Sequence, residues 1–254
     1  MTSAILDARD IVKRYGKFEA VGGVNLRIQP NTVHSVIGPN GAGKTTLFHA
    51  LTGTVALTSG SIQLNGRDIS HMPEHERVQQ GMARSFQVTS LFPSLSVREN
   101  LRLAAQGTRP RQAYYLWSAG DLDQDHTELI ESILSRLGLK DSIHRMAGQL
   151  SHGQQRRLEV GMALAAQPQI IFLDEPTSGM GIDDIDAMKA IIHGLRRDLT
   201  VVLIEHNMGI VMDISDVITV MQSGKVLVEG APGQVKNDAR VRQAYLGNMI
   251  TGGG

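Results

Sequence analysis

Cysteine is absent from the 254 residues, which excludes a disulfide framework and any thiolate metal site. A surplus of either charge is absent too: Lys+Arg and Asp+Glu both total 25. A balanced chain lacks the cationic excess that nonspecific nucleic-acid binding requires, so no nucleic-acid partner is expected. Aromatics are few, at 4% of residues. The cluster Tyr114, Tyr115 and Trp117 in RPRQAYYLWSAGDLD is therefore read as packing within a helical stretch rather than as a membrane contact. No apolar run approaches the ~18 residues that a membrane-spanning helix needs. The opening MTSAILDARDIVKRYG carries acids early and has no apolar segment, which predicts no secretory signal. The expectation is a soluble, cytoplasmic chain, for which any membrane role would have to come through a partner.

What is present is a succession of short strands and helices. Strands are expected over residues 5–13, 24–28 and 61–64, the last closed by the turn pair Asn65-Gly66. A further strand over 33–37 runs into GPNGAGKTT and a helix from Lys44. The middle, residues 91–166, is helical in texture: Leu129, Ile130, Ile133, Leu134 and Leu137 share one helix face, and Gly138 ends it. After Pro168 the alternation resumes. Strands are expected over 170–173, 200–204 and 217–221, with a helix carrying Ile185, Met188, Ile191, Ile192 and Leu195 on one face. Strands alternating with helices imply a mostly parallel sheet with helices packed on it. The expected organisation is one domain over 1–254. An α/β core with an N-terminal β region would span 1–88 and 167–254, and a helical insertion 89–166.

Gly38-Pro39-Asn40-Gly41-Ala42-Gly43-Lys44-Thr45-Thr46 carries the strongest chemistry. Glycines let backbone N–H groups converge on phosphates, and the N-terminus of the following helix adds a favourable dipole. Lys44 is expected to reach the β- and γ-phosphates, and the Thr45 hydroxyl to bind Mg²⁺. Downstream, a buried strand ends in Asp174-Glu175-Pro176, placing two acids at the sheet edge where α/β ligands bind. Asp174 suits the metal and Glu175 the attacking water. An acidic pair there is otherwise an ordinary loop start; with the phosphate loop upstream, the two motifs make an NTPase.

A third segment, Leu150-Ser151-His152-Gly153-Gln154, opens a helix, and Ser151 with Gln154 fits a capping box. It resembles the LSGGQ signature of the ABC ATPase family, and it precedes the Asp-Glu strand as in that family. The resemblance spans residues 6–247 and implies a P-loop NTPase (RecA-like) core, an antiparallel β region and an inserted helical subdomain. It also implies ATP and Mg²⁺ as substrate and cofactor, in a nucleotide-sandwich dimer. Ser151, His152, Gly153 and Gln154 would meet the ATP held by the other subunit. Tyr15 would stack on adenine, Gln87 would meet Mg²⁺ and water, and His206 would contact the γ-phosphate. Two positions depart from the family pattern: His152 replaces a glycine, and Gly181 stands where an aspartate often couples the two sites.

Several stretches resemble the ATPase subunits of branched-chain amino-acid importers, among them ARSFQVTSLFPSLSVREN, LSHGQQRRLEV and VRQAYLG. That likeness implies two membrane-spanning permease subunits, and a second ATPase or a second copy. It also implies a periplasmic solute-binding protein acting indirectly, and a place on the inner face of the cell membrane. The permease would dock near Phe86, Gln87 and Phe92. A non-transport ABC ATPase, a non-hydrolysing regulatory module, and an ATPase of lipid or lipopolysaccharide export remain as alternatives.

Overall fold

The computed structural model describes residues 3–85, 91–107 and 119–251. β1 (Leu6–Tyr15) and β2 (Phe18–Ile28) form an antiparallel hairpin, followed by β3 (Val33–Ile37) and α1 (Lys44–Thr52). β4 (Ser59–Leu64), β5 (Arg67–Asp68), α2 (Glu74–Gln79) and β6 (Met82–Arg84) come next. Three helices then succeed one another: α3 (Val97–Gly107), α4 (Ala119–Leu137) and α5 (His152–Leu164). The chain returns to alternation with β7 (Ile170–Asp174), α6 (Ile182–Leu195), β8 (Thr200–Ile204), α7 (Met208–Ile214), β9 (Val217–Gln222) and β10 (Lys225–Gly230). It closes with α8 (Pro232–Asn237) and α9 (Ala239–Thr251).

Two sheets result among the described residues. One is antiparallel in the order β2-β1-β4-β5; the other runs β10-β9-β3-β8-β7-β6, parallel except for β10. β3, β7 and β8 are buried at every position, as expected for parallel strands covered on both faces. Their alternation sorts the core. Ile170, Phe172, Val202 and Ile204 face the cluster holding α1 and the antiparallel sheet. Ile171, Leu173, Val201 and Leu203 face the cluster holding α3 to α6. The sheet thus lies between two apolar layers, an α/β architecture.

The hairpin strands are longer than their sequence pattern indicates. The reason is a set of bulges: register shifts fall between Ala8 and Ile11 and between Lys13 and Arg14, and Asp10 adopts φ 50°. Each bulge breaks the period-two alternation while pairing continues. The short edge strand β6 and the antiparallel β10 also exceed the sequence expectation.

One polar anchor fixes the far end of α1. Arg77 of α2 is buried and donates to the carbonyls of Ala50 and Leu51 in the last turn of α1, and to those of Met72 and Ser70. Cations suit helix C-termini, whose carbonyls lack partners. Burial lowers the Arg77 pKa to about 10. Among the described residues no helix is long and apolar enough to cross a membrane.

Candidate nucleotide site

β3 delivers the chain into the Gly38–Thr46 loop, and α1 starts at Lys44 with Gly43 (φ 96°) at its cap and no side-chain cap bond. The first-turn N–H groups therefore have no side-chain partner of this kind, the arrangement that favours an anion. Lys44 Nζ donates to the Gly38 carbonyl at 2.7 Å and to that of Pro39 at 3.1 Å, curling the ammonium into the loop. Burial lowers its pKa, and the charges of Glu175 and Asp174 oppose that shift.

The loop shape depends on close backbone approaches. A Cβ on Gly38 would stand 2.2 Å from the Met221 carbonyl oxygen, and one on Gly43 would stand 2.4 Å from that of Ala20. The Gly224 N–H donates to Ala42 O at 2.9 Å, and the Gly22 N–H donates to Gly224 O at 2.9 Å. The β2 strand and the β9–β10 turn thus clasp the loop from two sides.

β7 and β8 end beside it. Asp174 is buried, and that burial raises its pKa while Arg84 opposes the rise. Its Oδ2 lies 3.6 Å from Arg84 Nη2 and has no hydrogen-bond partner. Glu175 adopts φ 46°, a left-handed conformation that costs a non-glycine residue roughly 1–2 kcal/mol. Its N–H is held by Ile204 O at 2.9 Å. From the end of β8, His206 Nδ1 comes within 3.5 Å of Glu175 Oε1. Lys44, Asp174, Glu175 and His206 are thereby drawn to the same ends of β3, β7 and β8.

The residues present fit a hard, oxygen-seeking cation. An orphaned buried carboxylate oxygen on Asp174 and an exposed Thr45 side chain are the donor types it prefers. Among the described residues no cluster of three or more His, Asp or Glu could hold a metal by itself. Substrate phosphates would have to supply further oxygens.

The signature residues lie at the start of α5. Ser151 accepts from the Gln154 N–H and the Gln154 side chain accepts from the Ser151 N–H, a complete capping box. His152 Nε2 is 3.3 Å from Ser178 O. A Cβ on Gly153 would stand 2.1 Å from the Asp184 carboxyl carbon, and Asp184 Oδ1 is 3.4 Å from Arg157 Nη2. Signature and post-β7 segment are therefore tied together within one chain. Gly181 precedes α6 with no side-chain cap.

Tyr15 is half-exposed on the β1–β2 hairpin, with Lys13 Nζ 4.9 Å from its ring centroid. Phe86, Gln87, Tyr114, Tyr115 and Trp117 lie outside the described residues; Phe92 is exposed. Two residues bordering the site escape the sequence motifs. Arg84 stands in the RSFQ stretch on a strand otherwise apolar, and Glu205 stands between an apolar strand and His206. A lone charge at such a place is the one signal that could have found them.

The profile of the ABC transporter family matches residues 21–178. A second profile, described as that of the branched-chain amino acid ATP-binding cassette transporter, matches residues 225–249. The chain is 39% identical to the high-affinity branched-chain amino acid transport ATP-binding protein BraF of Pseudomonas aeruginosa, over 97% of this chain and 99% of that protein. It is 37% identical to its counterpart LivG of Escherichia coli over the same shares. It is 34% identical to the lipopolysaccharide export ATP-binding protein LptB of Haemophilus influenzae, over 97% and 99%. The crystal structure of the ADP conformation of an ATP-binding cassette matches with a TM-score of 0.84 and 30% identity, over 97% of this chain and 100% of that one. A nucleotide-free cassette gives 0.80 and 29%, over 95% and 98%. A phosphate loop, a signature helix and an acidic strand end, in this order along the chain, agree with those matches: the chain belongs to the ABC transporter family as an ATP-hydrolysing subunit that works with membrane permease components, and it is homologous to the ATP-binding subunits of branched-chain amino-acid importers.

Proposed function

We propose that the chain powers the uptake of branched-chain or related amino acids, as one of two ATPase subunits on the inner face of the cell membrane. Two membrane-spanning permease subunits would sit above it, and a periplasmic binding protein would deliver the solute to them. The second ATPase is a related chain or a second copy. The amino-acid reading is supported by the match over residues 225–249 and by identities of 37–39% with the amino-acid relatives, against 34% with the lipopolysaccharide relative.

The observation that carries the chemistry is the meeting of Lys44, Asp174, Glu175 and His206 at three neighbouring strand ends. Lys44 and the loop N–H groups of Gly38 to Thr46 would hold the β- and γ-phosphates of ATP. Tyr15 would stack on the base. Thr45, Gln87 and Asp174 would hold Mg²⁺, which when bound neutralises charge developing between the β- and γ-phosphates. Glu175 would orient and polarise the attacking water, with His206 against it and the γ-phosphate. Ser151, His152, Gly153 and Gln154 would close over the nucleotide of the other subunit. Residues 89–166 would form a helical unit on a core made from 1–88 and 167–254. The permease would dock by Phe86, Gln87 and Phe92. His152 keeps a bond to the Ser178 carbonyl, so the signature retains an ordered start despite the missing glycine.

Glu175→Gln tests the chemistry: nucleotide affinity is expected to persist while hydrolysis is lost and closed dimers accumulate. Hydrolysis at the wild-type rate would overturn the role. Affinity purification of the tagged chain in mild detergent tests the transport reading. Two polytopic membrane proteins and a second ATPase support it; lipid-export components overturn it.

A further inference from the structure

Glu205 is fully buried, at 0% exposure, one residue beyond the end of β8. A carboxylate in such a place is costly unless donors surround it. Three do. Oε1 accepts from the Thr177 N–H at 3.2 Å and from the Thr177 hydroxyl. Oε2 accepts from the His206 N–H at 3.2 Å. The two carboxyl oxygens thus accept from all three.

The position of those donors gives the contact its meaning. Thr177 belongs to the turn that follows Asp174 and Glu175. His206 belongs to the next loop, and its Nδ1 lies 3.5 Å from Glu175 Oε1. The two loops are thus joined twice: at the surface by Glu175 with His206, and beneath by Thr177 with Glu205. Glu175 itself is held at φ 46°, a conformation that persists only where its surroundings impose it.

We propose that Glu205 is a positioning residue for hydrolysis. Its carboxylate locks the loop bearing Glu175 to the loop bearing His206, and so sets the distance between the group that polarises water and the group beside it. This rests on the assignment of Glu175 and His206 made above. Glu205→Gln keeps only one acceptor oxygen, so its N–H₂ must face either Thr177 or the His206 N–H, donor against donor. Thr177→Val removes the hydroxyl donor and keeps the backbone bond, and Thr177→Ser restores the hydroxyl.

The test uses the full chain, measuring the Kd of a fluorescent ATP analogue, kcat for ATP hydrolysis and the melting temperature of each variant. Misplacement of reacting groups by about an ångström costs on the order of 10²-fold in rate. Glu205→Gln and Thr177→Val are expected to lose kcat on that scale while Kd changes less than about 3-fold. Thr177→Ser is expected to recover most of the loss. The double variant Glu205→Gln/Thr177→Val is expected to lose no more than the worse single one, because both break the same bridge. Losses of kcat that multiply, or a Kd that weakens in step with kcat, would overturn the inference. Glu175→Gln measured alongside separates the two levels. If it hydrolyses normally, the catalytic assignment fails. If it is inactive while Glu205→Gln and Thr177→Val turn over normally, only the role of Glu205 fails.

Discussion

The guanidinium of Arg84 lies over the ring of Phe48, 5.2 Å from its centroid, and reaches to within 3.6 Å of the Asp174 carboxylate. A residue at the sheet edge thus touches both the helix that follows the phosphate loop and the acid opposite it. Its Nη1 is spent on Thr54 at 2.9 Å, so compensation of Asp174 is incomplete and one carboxylate oxygen is left without a bond. Asp174→Asn removes that buried, half-compensated charge. The nucleotide-free variant is expected to melt a few degrees above wild type, while hydrolysis is lost. Thermal denaturation without nucleotide checks this; a lower melting temperature contradicts it.

His34 of β3 offers a pH effect with a defined sign. Its ring nitrogen is 2.7 Å from the Thr219 hydroxyl, which donates in turn to Glu229 at 2.6 Å. Burial lowers its pKa to about 4 from 6.5. The unfolded chain therefore binds a proton before the folded chain does. The stability is fully present above pH 6.5 and falls as pH drops through the window toward 4. Between pH 6.5 and 5 the loss is of order 1–2 kcal/mol. His34→Gln should flatten that slope in denaturant titrations at stepped pH.

Arg77→Met leaves the carbonyls at the end of α1 without their donor in a buried place. Losses of about 2–4 kcal/mol are expected, read as a fall in melting temperature of roughly 5–15 °C. Because the anchor sits at the opposite end of α1 from Lys44, nucleotide affinity measured below the melting temperature should change little.

Gly153→Ala places a methyl group where the Asp184 carboxylate stands. Asp184 must turn away, breaking its pair with Arg157. A loss near 1 kcal/mol is expected, and Gly153→Ala/Asp184→Ala should be less impaired than the two single losses added together. Chemical denaturation of all three variants measures that coupling.

Much of this architecture was legible in the sequence wherever one residue pattern did one job. The run 33–37 into the phosphate loop, the run 170–173 into Asp174, and the face of Leu129 to Leu137 carry their own periodicity. The pairing of Ser151 with Gln154 is local, and the capping box forms as its spacing implies. The bulged hairpin was not legible at full length, since its alternation breaks at Asp10 while its hydrogen bonds continue. Arg77, Arg84 and Glu205 were not legible either. Each meets a partner 26 or more residues away, Leu51, Thr54 and Thr177 respectively, and a single polar residue in sequence gives no sign of which distant carbonyl or hydroxyl it will meet.

The clasp around the phosphate loop has a consequence for moving the loop elsewhere. Ala20 on β2, Met221 at the end of β9 and Gly224 in the turn after it all press on residues 38–43, and Gly22 ties β2 to that turn. The nine-residue motif is therefore not a portable cartridge. Transplanted into another strand–helix junction, it would carry the right letters without the mould that shapes them. A successful graft has to bring three separate stretches of chain, and any directed-evolution library confined to the motif itself searches the wrong positions.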